Sequence, residues 1–145
     1  MSAEQNNKYM RIALEQSKKA LPDCLPNPPV GCVLVKEGKI ISYGYTKAPG
    51  ENHAEAEALN NYSGSLEGVS AYVTLEPCSF HGRTPSCATS FIERQISEVY
   101  IGIKDIDPRN NGKGVTRLKA AGIKVTENVL SESVIQFLNP YLNKS

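Results

Sequence analysis

The chain has 145 residues, of which 40% are hydrophobic and 21% are charged. These proportions fit one globular domain and exclude a disordered tail, a collagen-like repeat and a transmembrane protein. Sixteen Lys and Arg against fifteen Asp and Glu leave a net charge of +1, without the basic excess typical of nucleic-acid-binding proteins. We therefore expect one domain over residues 1–145, with no membrane partner and no nucleic-acid partner.

Residues 1–16, MSAEQNNKYMRIALEQ, contain no apolar segment of the kind that a secretory signal needs. We expect a cytoplasmic protein, and in that reducing compartment cysteines serve metal binding or catalysis more often than disulfides. Cys32 lies in the apolar run VGCVLV and is predicted to be a buried hydrophobic residue. Cys78 and Cys87 bracket a polar loop rich in Gly and Pro, so these two are the candidates for chemistry.

Apolar periodicity and turn residues predict alternating helices and strands. Pro22 ends the first helix, residues 25–29 form a rigid proline-rich loop, and Glu37-Gly38 between two apolar runs indicates a hairpin. The predicted elements are helix 5–21, strands 30–36 and 39–45, helix 53–60, strand 71–75, helix 85–95, strand 99–103, helix 114–121, strand 123–126 and helix 131–138. This order implies an α/β fold, a three-layer α-β-α sandwich on a five-stranded mixed sheet whose later strands are parallel.

Two short segments carry the residue types of a zinc site. His53 and Glu55 open a predicted helix, and Cys78 and Cys87 lie on the connection from a buried strand to the next helix. One imidazole and two thiolates suit Zn²⁺, and three protein ligands leave a fourth position for water, as in catalytic sites. In the first turn of a helix His53 and Glu55 can face one pocket, which places the glutamate beside that water. The start of the following helix is expected to favour the Cys87 thiolate.

Each of these motifs is weak when taken alone. A His-x-Glu pair and two cysteines nine residues apart occur by chance, but Pro77 directly before Cys78 and the strand-loop-helix context strengthen the combination. His81 is the only other histidine, and its place in the middle of the loop favours a surface or substrate-contacting role over that of a ligand.

Together these motifs resemble the deaminase domain of the bifunctional riboflavin-biosynthesis pyrimidine deaminase/reductase, a zinc deaminase of the cytidine-deaminase-like superfamily. The likeness covers residues 9–142 and rests on PNP at 26–28, VGCV at 30–33, GY at 44–45, HAE at 53–55, YVTLEPC at 72–78, HGRTP at 81–85, Cys87 and GKG at 112–114. The resemblance implies a cytidine-deaminase-like sandwich, and the reductase domain of that family is absent from this sequence.

The resemblance also implies a reaction, a cofactor and a site. Zn²⁺ is expected on His53, Cys78 and Cys87, and Glu55 is expected to move protons while water replaces an amino group and ammonia leaves. The expected substrate is a small aminopyrimidine, a diaminopyrimidinone that carries a ribosylamino 5′-phosphate. A homo-oligomer is compatible with this class of sandwich. The residues expected to contact substrate are Asn27, Ala54, Arg83, Asp105 and Asp107.

Several alternatives stay open. The sequence departs from the family pattern at Thr46, where the family has His, and at Asp107, where it has Asn. These departures favour, as an alternative, a stand-alone deaminase of another small aminopyrimidine or related heterocycle. A transfer-RNA adenosine deaminase shares some motifs, and a non-catalytic zinc module would need Cys24 or Cys32 as a fourth ligand. Asn27 and Asp105 could also be turn residues, and Arg83 a surface residue.

Overall fold

The computed structural model describes residues 3–79, 86–107 and 109–142. No helix in this part of the chain is both long and apolar enough to span a membrane. The elements are α1 (Ala3–Lys18), β1 (Gly31–Lys36), β2 (Lys39–Tyr45), α2 (Ala54–Asn60), β3 (Val69–Leu75), α3 (Cys87–Glu93), β4 (Glu98–Ile103), α4 (Lys113–Ala120), β5 (Lys124–Thr126), α5 (Ser131–Leu138) and a 3₁₀ turn (Asn139–Tyr141).

The five strands form one mixed sheet in the order β2-β1-β3-β4-β5. Strand β1 is antiparallel to both β2 and β3, whereas β3, β4 and β5 run parallel. The β1–β2 hairpin turns through Glu37 and Gly38, which both have positive φ angles of 51° and 75°. That combination is typical of the turn that matches the twist of paired strands. The predicted mixed sheet with its leading hairpin is confirmed.

The side chains of the strands alternate between two apolar clusters, one on each face of the sheet. Helices α2, α3 and α4 pack on one face, against strand residues such as Cys32, Leu34 and Val73. Helices α1 and α5 pack on the other face, against Val33 and Tyr72. Successive strand residues point to opposite faces, and helices cover both faces, so the central strands are buried on both sides. The predicted three layers are confirmed.

Several helix boundaries differ by one to three residues from their predicted positions, and two of these differences have evident local reasons. Helix α1 ends at Lys18 because the next backbone amides bond three residues back instead of four, as in the Ala20 N–H bond to the Ser17 carbonyl. Helix α3 begins at Cys87, because the Ser86 hydroxyl accepts a 3.1 Å bond from the Thr89 N–H and so occupies the N-cap. Helix α5 agrees with its prediction.

The connections place several polar residues at one edge of the sheet. Glu76 follows β3 and Asp105 follows β4, and these strands are parallel, so both residues leave the sheet at the same edge. In α/β folds that edge is where ligands bind. His53, at the start of α2, lines the same region, and Cys87, at the start of α3, lies beside His53.

Candidate metal centre and active site

His53 occupies the N-cap position of α2 with an extended backbone, φ −69° and ψ 167°. Its side chain does not cap the helix, so the imidazole is free to face the cysteines. Helix α2 packs directly on β2 at Gly44, where an added Cβ would overlap the Ala54 carbonyl oxygen. The position of His53 is therefore set by close packing between two backbones.

The two cysteines approach the same imidazole nitrogen. His53 Nδ1 lies 3.9 Å from Cys78 Sγ and 3.7 Å from Cys87 Sγ, and all three ligand atoms lie within 4.8 Å of one another. Zinc bonds of about 2.0–2.1 Å to nitrogen and 2.3 Å to sulfur, at tetrahedral angles, imply a nitrogen-to-sulfur distance of about 3.6 Å. The donor types and their separations therefore fit a zinc ion held by His53, Cys78 and Cys87.

The remaining two cysteines do not join this cluster. Cys24 and Cys32 are fully buried elsewhere, Cys32 within the core on the α2 face of the sheet. Among the described residues, only His53, Cys78 and Cys87 form a group of three or more metal-ligating side chains at this spacing. The structure thus lacks the fourth ligand from Cys24 or Cys32 that a closed, non-catalytic zinc module would require.

The start of α3 contributes a backbone hydrogen bond to Cys78. The Cys87 N–H donates a 3.3 Å bond to Cys78 Sγ. A hydrogen bond from the Cys87 thiol, with further contributions from His53, lowers the pKa of Cys78 to about 4. The shared proton and burial raise the pKa of Cys87 well above its usual value. The N–H at the start of α3 thus serves the partner sulfur, and the expectation that this helix start favours the Cys87 thiolate stays a prediction.

Glu55 lies beside the metal ligands and is only 4% exposed. Burial raises its pKa to about 7, and the neighbouring His53 opposes that shift only in part. A carboxyl group with a pKa near neutrality can both accept and release a proton at physiological pH.

His53, Glu55 and Cys78 line a cavity of about 490 Å³, which is large enough for a small-molecule ligand. The Pro-rich loop supplies Asn27, and the connection after β4 supplies Asp105 and Asp107. Ala54 does not line the cavity, since its methyl group packs into the core, and its role as a substrate contact stays a prediction. Arg83 and His81 lie outside the described residues.

Both predicted aspartates are held in turns of their own loop. Asp105 accepts bonds from the Asp107 N–H at 2.9 Å and from Asn110 Nδ2 at 3.4 Å, and burial raises its pKa. Arg109 donates to the Asp107 carboxylate through Nε and Nη2, at 2.7 to 3.2 Å. These bonds lower the pKa of Asp107. The negative charge that Asp107 adds is thus paired with a guanidinium that also lines the cavity.

Thr46, the other departure from the family pattern, also lines the cavity. Its hydroxyl accepts a 3.0 Å bond from the Val30 N–H and lies 3.4 Å from the Val30 carbonyl oxygen. The Thr46 hydroxyl therefore supports the end of the loop that carries Asn27.

Sequence reasoning assigned no role to Glu76, although its buried carboxylate organises the cavity rim. One oxygen accepts bonds from the Asp105 N–H at 3.0 Å and the Gly112 N–H at 2.9 Å. The other oxygen accepts a 3.0 Å bond from the Val115 N–H. Glu76 thereby joins the end of β3 to the loop after β4 and to α4. A carboxylate at the end of a fully buried strand was the signal that could have revealed it.

Asn110 was also missed. It is fully buried, and its Nδ2 donates a 3.1 Å bond to the carbonyl of Pro77, the residue before Cys78. A second bond from the same nitrogen reaches Asp105, so Asn110 links the metal-binding loop to the substrate-facing loop.

The mixed sheet between two helical layers, a His/Cys/Cys donor set and a buried glutamate in one cavity define a zinc-binding domain of the nucleobase-deaminase class. Residues 3–103 match the family model of the cytidine and deoxycytidylate deaminase zinc-binding region. The chain belongs to that family.

Among its relatives are riboflavin biosynthesis proteins. The chain is 46% identical over 132 residues to RibD of Actinobacillus pleuropneumoniae, covering 91% of this chain and 35% of that protein. It is 44% identical over 144 residues to RibD of Chlamydia muridarum, covering 99% of this chain and 39% of that protein. The chain therefore spans little more than a third of these relatives. The resemblance to their deaminase domain is confirmed.

Solved structures agree with this relationship. A Thermotoga maritima diaminohydroxyphosphoribosylaminopyrimidine deaminase/5-amino-6-(5-phosphoribosylamino)uracil reductase superposes with a TM-score of 0.91 at 39% identity, covering 96% of this chain and 40% of that one. The Aspergillus oryzae Rib2 deaminase in complex with DARIPP superposes with a TM-score of 0.76 at 27% identity, covering 96% and 92%. The predicted cytidine-deaminase-like fold is confirmed.

Proposed function

We propose that this chain catalyses the hydrolytic deamination of diaminohydroxyphosphoribosylaminopyrimidine in riboflavin biosynthesis. The observation that carries the proposal is the buried Glu55 in one cavity with His53 and Cys78, beside Cys87. The similarity to the deaminase/reductase of T. maritima and to the DARIPP-bound Rib2 deaminase supports this substrate.

In the proposed reaction, water adds to the ring carbon that carries the amino group, the carbon–nitrogen bond breaks, ammonia leaves and a carbonyl remains. Zinc, when bound to His53, Cys78 and Cys87, supplies Lewis-acid activation of that water, whose pKa falls from ~15.7 towards 7. Glu55 accepts a proton from the water and passes it to the ring nitrogen. It then accepts the second proton from the added hydroxyl group and passes it to the departing amine. Its raised pKa of about 7 suits both directions of transfer.

We assign the ends of the substrate to different sides of the cavity. Asn27 offers an amide to the base from the Pro-rich loop before β1, and Asp105 and Asp107 face the cavity from the connection after β4. Arg83 is kept as the proposed partner of the phosphate on the strength of the family resemblance. Arg109 adds a second guanidinium at the rim, where its pairing with Asp107 reduces the repulsion of a phosphate.

A second candidate is a deaminase of a different small aminopyrimidine. The observation that favours it is the Thr46 hydroxyl, which bonds to Val30 where the family has a histidine that could donate to a ligand. The chemistry would be the same, and only the pocket contacts would differ.

We also keep three broader proposals. Residues 1–145 act as one deaminase domain, the protein works in the cytoplasm, and its partner is a small phosphorylated molecule rather than a nucleic acid or a membrane. None of the four cysteines forms a disulfide, which is the state expected in a reducing compartment. Association into a homo-oligomer is compatible with these proposals.

The test is a panel of aminopyrimidines assayed for ammonia release by the zinc-loaded chain. We expect diaminohydroxyphosphoribosylaminopyrimidine to give the highest kcat/KM and its dephosphorylated form about ten- to a hundredfold less, since charge-assisted bonds contribute roughly 1.5–3 kcal/mol. The Glu55→Gln variant gives the background rate. Equal kcat/KM for both forms would overturn the assignment of the phosphate. A higher value on an unrelated aminopyrimidine would favour the second candidate.

A further inference from the structure

The two sulfur ligands lie on separate segments of the chain, so contacts with the rest of the fold are needed to keep these segments together. Cys78 follows the end of β3 and Cys87 begins α3, with eight residues between them in the sequence. Each cysteine has a serine beside it on the loop side, Ser79 after Cys78 and Ser86 before Cys87. A metal site retains its ion best when its ligands are held in place by surrounding hydrogen bonds.

Arg117, on α4, bridges these two serines. Its Nη1 donates to the Ser79 carbonyl oxygen at 3.0 Å and to the Ser86 hydroxyl oxygen at 3.2 Å. One cationic nitrogen therefore contacts the residue after the first sulfur ligand and the residue before the second. Bonds from a charged donor are stronger than those between neutral groups, so this contact opposes separation of the two segments.

The Ser86 hydroxyl is fully engaged by this arrangement. Its oxygen accepts from Arg117 and from the Thr89 N–H, and its proton is then available to Thr89 Oγ1 at 2.8 Å. The side chain is 1% exposed, so solvent does not replace these partners. Arg117 thereby fixes the start of α3, and with it the position of Cys87.

Arg117 is itself placed by a helix that is fastened to the same loop. The Glu76 carboxylate accepts from the Gly112 and Val115 N–H groups at the start of α4. At Gly114 the helix abuts the loop so closely that an added Cβ would overlap the Pro77 carbonyl oxygen. Arg117 follows Gly114 by three residues and so lies on the same helix face. Helix α4 therefore holds the guanidinium at a fixed distance from the end of β3.

We propose that Arg117 is a positioning residue of the metal centre, which holds the flanks of Cys78 and Cys87 together and so controls how tightly zinc is retained. The proposal concerns the metal site and does not depend on which pyrimidine is the substrate. Arg117 also lines a groove of about 750 Å³ with Lys104, Lys113 and Lys119. Binding an anion in that groove is the rival role, and the experiment separates the two.

The main variant is Arg117→Met, which keeps a long apolar stem and removes the donors. Zinc-loaded protein is mixed with an excess of a chromophoric chelator and zinc release is followed. We expect release about 10- to 100-fold faster than in the wild type, the usual effect of losing a group that orients metal ligands. The Co²⁺-substituted variant should show altered thiolate-to-metal charge-transfer bands. Arg117→Lys, which keeps the charge on a shorter stem, should release zinc at an intermediate rate.

Two control variants address loss of charge and loss of stability. Lys119→Gln removes another cation of α4, one that pairs with Glu127 at 3.7 Å, and should release zinc at the wild-type rate. Arg94→Met removes an arginine that binds the carbonyls of Leu59, Tyr62 and Gly64, at the far ends of α2 and α3. It should lower the melting temperature without accelerating release.

Three outcomes would overturn the proposal. One is zinc release from folded Arg117→Met within about twofold of wild type. The second is equal acceleration by Arg94→Met, because general loosening of the helices would then explain the effect. The third is a raised KM for a phosphorylated substrate with unchanged release, which would assign Arg117 to anion binding. Should Arg117→Met fail to fold, Arg117→Lys decides, and a wild-type release rate in that variant would count against the proposal.

Discussion

The zinc ligands come from two segments that the fold holds in different ways. The histidine segment, residues 53–55, is positioned by backbone packing of α2 on β2 at Gly44. The cysteine segment, residues 76–79 and 86–87, is held mainly by polar side-chain bonds to the loop after β4 and to α4. Glu76 of the segment accepts from Gly112, and Asn110 and Arg117 donate to backbone carbonyls of the segment. The difference follows from the elements that carry them, since a ligand in a helix turn inherits the geometry of that helix, whereas a loop needs partners for its exposed backbone groups.

This comparison has a functional consequence. The histidine segment also carries Glu55. The proposed proton carrier therefore lies two residues after a metal ligand, at the start of the same helix. The cysteine segment supplies the remaining ligands but depends on contacts that single substitutions can remove. We therefore expect changes in the histidine segment to affect chemistry first, and changes around the cysteine segment to affect metal retention first.

The largest effect is expected from removing the metal ligands of the cysteine segment. Cys78→Ser replaces a thiolate with a hydroxyl, which is a poor zinc ligand, so we expect zinc content and ammonia release to fall to background. Metal analysis of the purified variant measures this directly. Prolonged chelation of the wild type should have the same effect, and zinc addition should restore activity only in the wild type. Stoichiometric zinc in Cys78→Ser would contradict the assigned ligand set.

The next effect belongs to the histidine segment. Glu55→Gln keeps the shape of the side chain and removes its proton transfer, so kcat should fall by about 10²–10⁴-fold. Zinc content should stay at the wild-type level, since Glu55 is not in the ligand cluster. Metal analysis and a steady-state assay on the same sample separate the two functions. Activity within about threefold of wild type would refute the proposed role of Glu55.

A matched pair of glycine substitutions compares the two segments directly. Gly44→Ala and Gly114→Ala each force a methyl group against a backbone carbonyl, and each should lose about 1–3 kcal/mol of stability, the usual range for overpacking. Gly44→Ala displaces Ala54, which lies between His53 and Glu55, so we expect this variant to lower kcat first. Gly114→Ala displaces Pro77 beside Cys78, so we expect this variant to give the larger increase in zinc release. Thr116→Ala, at an exposed position of α4, serves as the control. Equal zinc release from both glycine variants would remove the distinction between the segments.

Glu76→Gln tests the polar support of the cysteine segment at its strongest point. The amide nitrogen cannot accept the bonds that one carboxylate oxygen receives, so we expect a loss of about 1–3 kcal/mol and faster zinc release. Glu57→Gln is the control, because the Glu57 carboxylate bonds to Asn52 and Lys47 at the surface. Thermal unfolding measures the loss of stability, and the chelator assay measures the rate of zinc release. If Glu76→Gln were as stable as Glu57→Gln, the hydrogen bonds that the Glu76 carboxylate accepts would contribute little to stability.

The smallest effect is expected at the cavity rim. Asp107→Asn releases Arg109 from its exposed ion pair, and such pairs contribute about 0.2–1 kcal/mol. We expect at most a fewfold rise in kcat/KM for the phosphorylated substrate, with no change for its dephosphorylated form. An equal change on both forms would mean that Arg109 does not meet the phosphate.

Much of this molecule could be predicted from residue order. The hairpin at Glu37-Gly38 and helix α5 depend on local turn and helix preferences, which nearby residues satisfy by themselves. The zinc ligands could be found because imidazole and thiolate are uncommon, chemically distinctive groups, and the family motifs around them are specific.

Other features became visible only in three dimensions. The helix start near Cys87 had to be placed in space before its N–H could be seen to serve the sulfur of Cys78. Ala54, assigned to the substrate from its motif, has its methyl group in the core because the first turn of α2 faces β2.

The sequence by itself determined the ligand types, the catalytic carboxylate proposed at Glu55 and the alternation of elements, since these follow from the chemistry and spacing of neighbouring residues. Tertiary structure alone decided that Glu76 caps α4, that Asn110 joins two loops and that Arg117 spans the flanks of the two cysteines. These contacts join residues about 30 to 40 positions apart. A polar side chain has many candidate partners at such separations, and only the packing of α4 against the end of β3 selects among them.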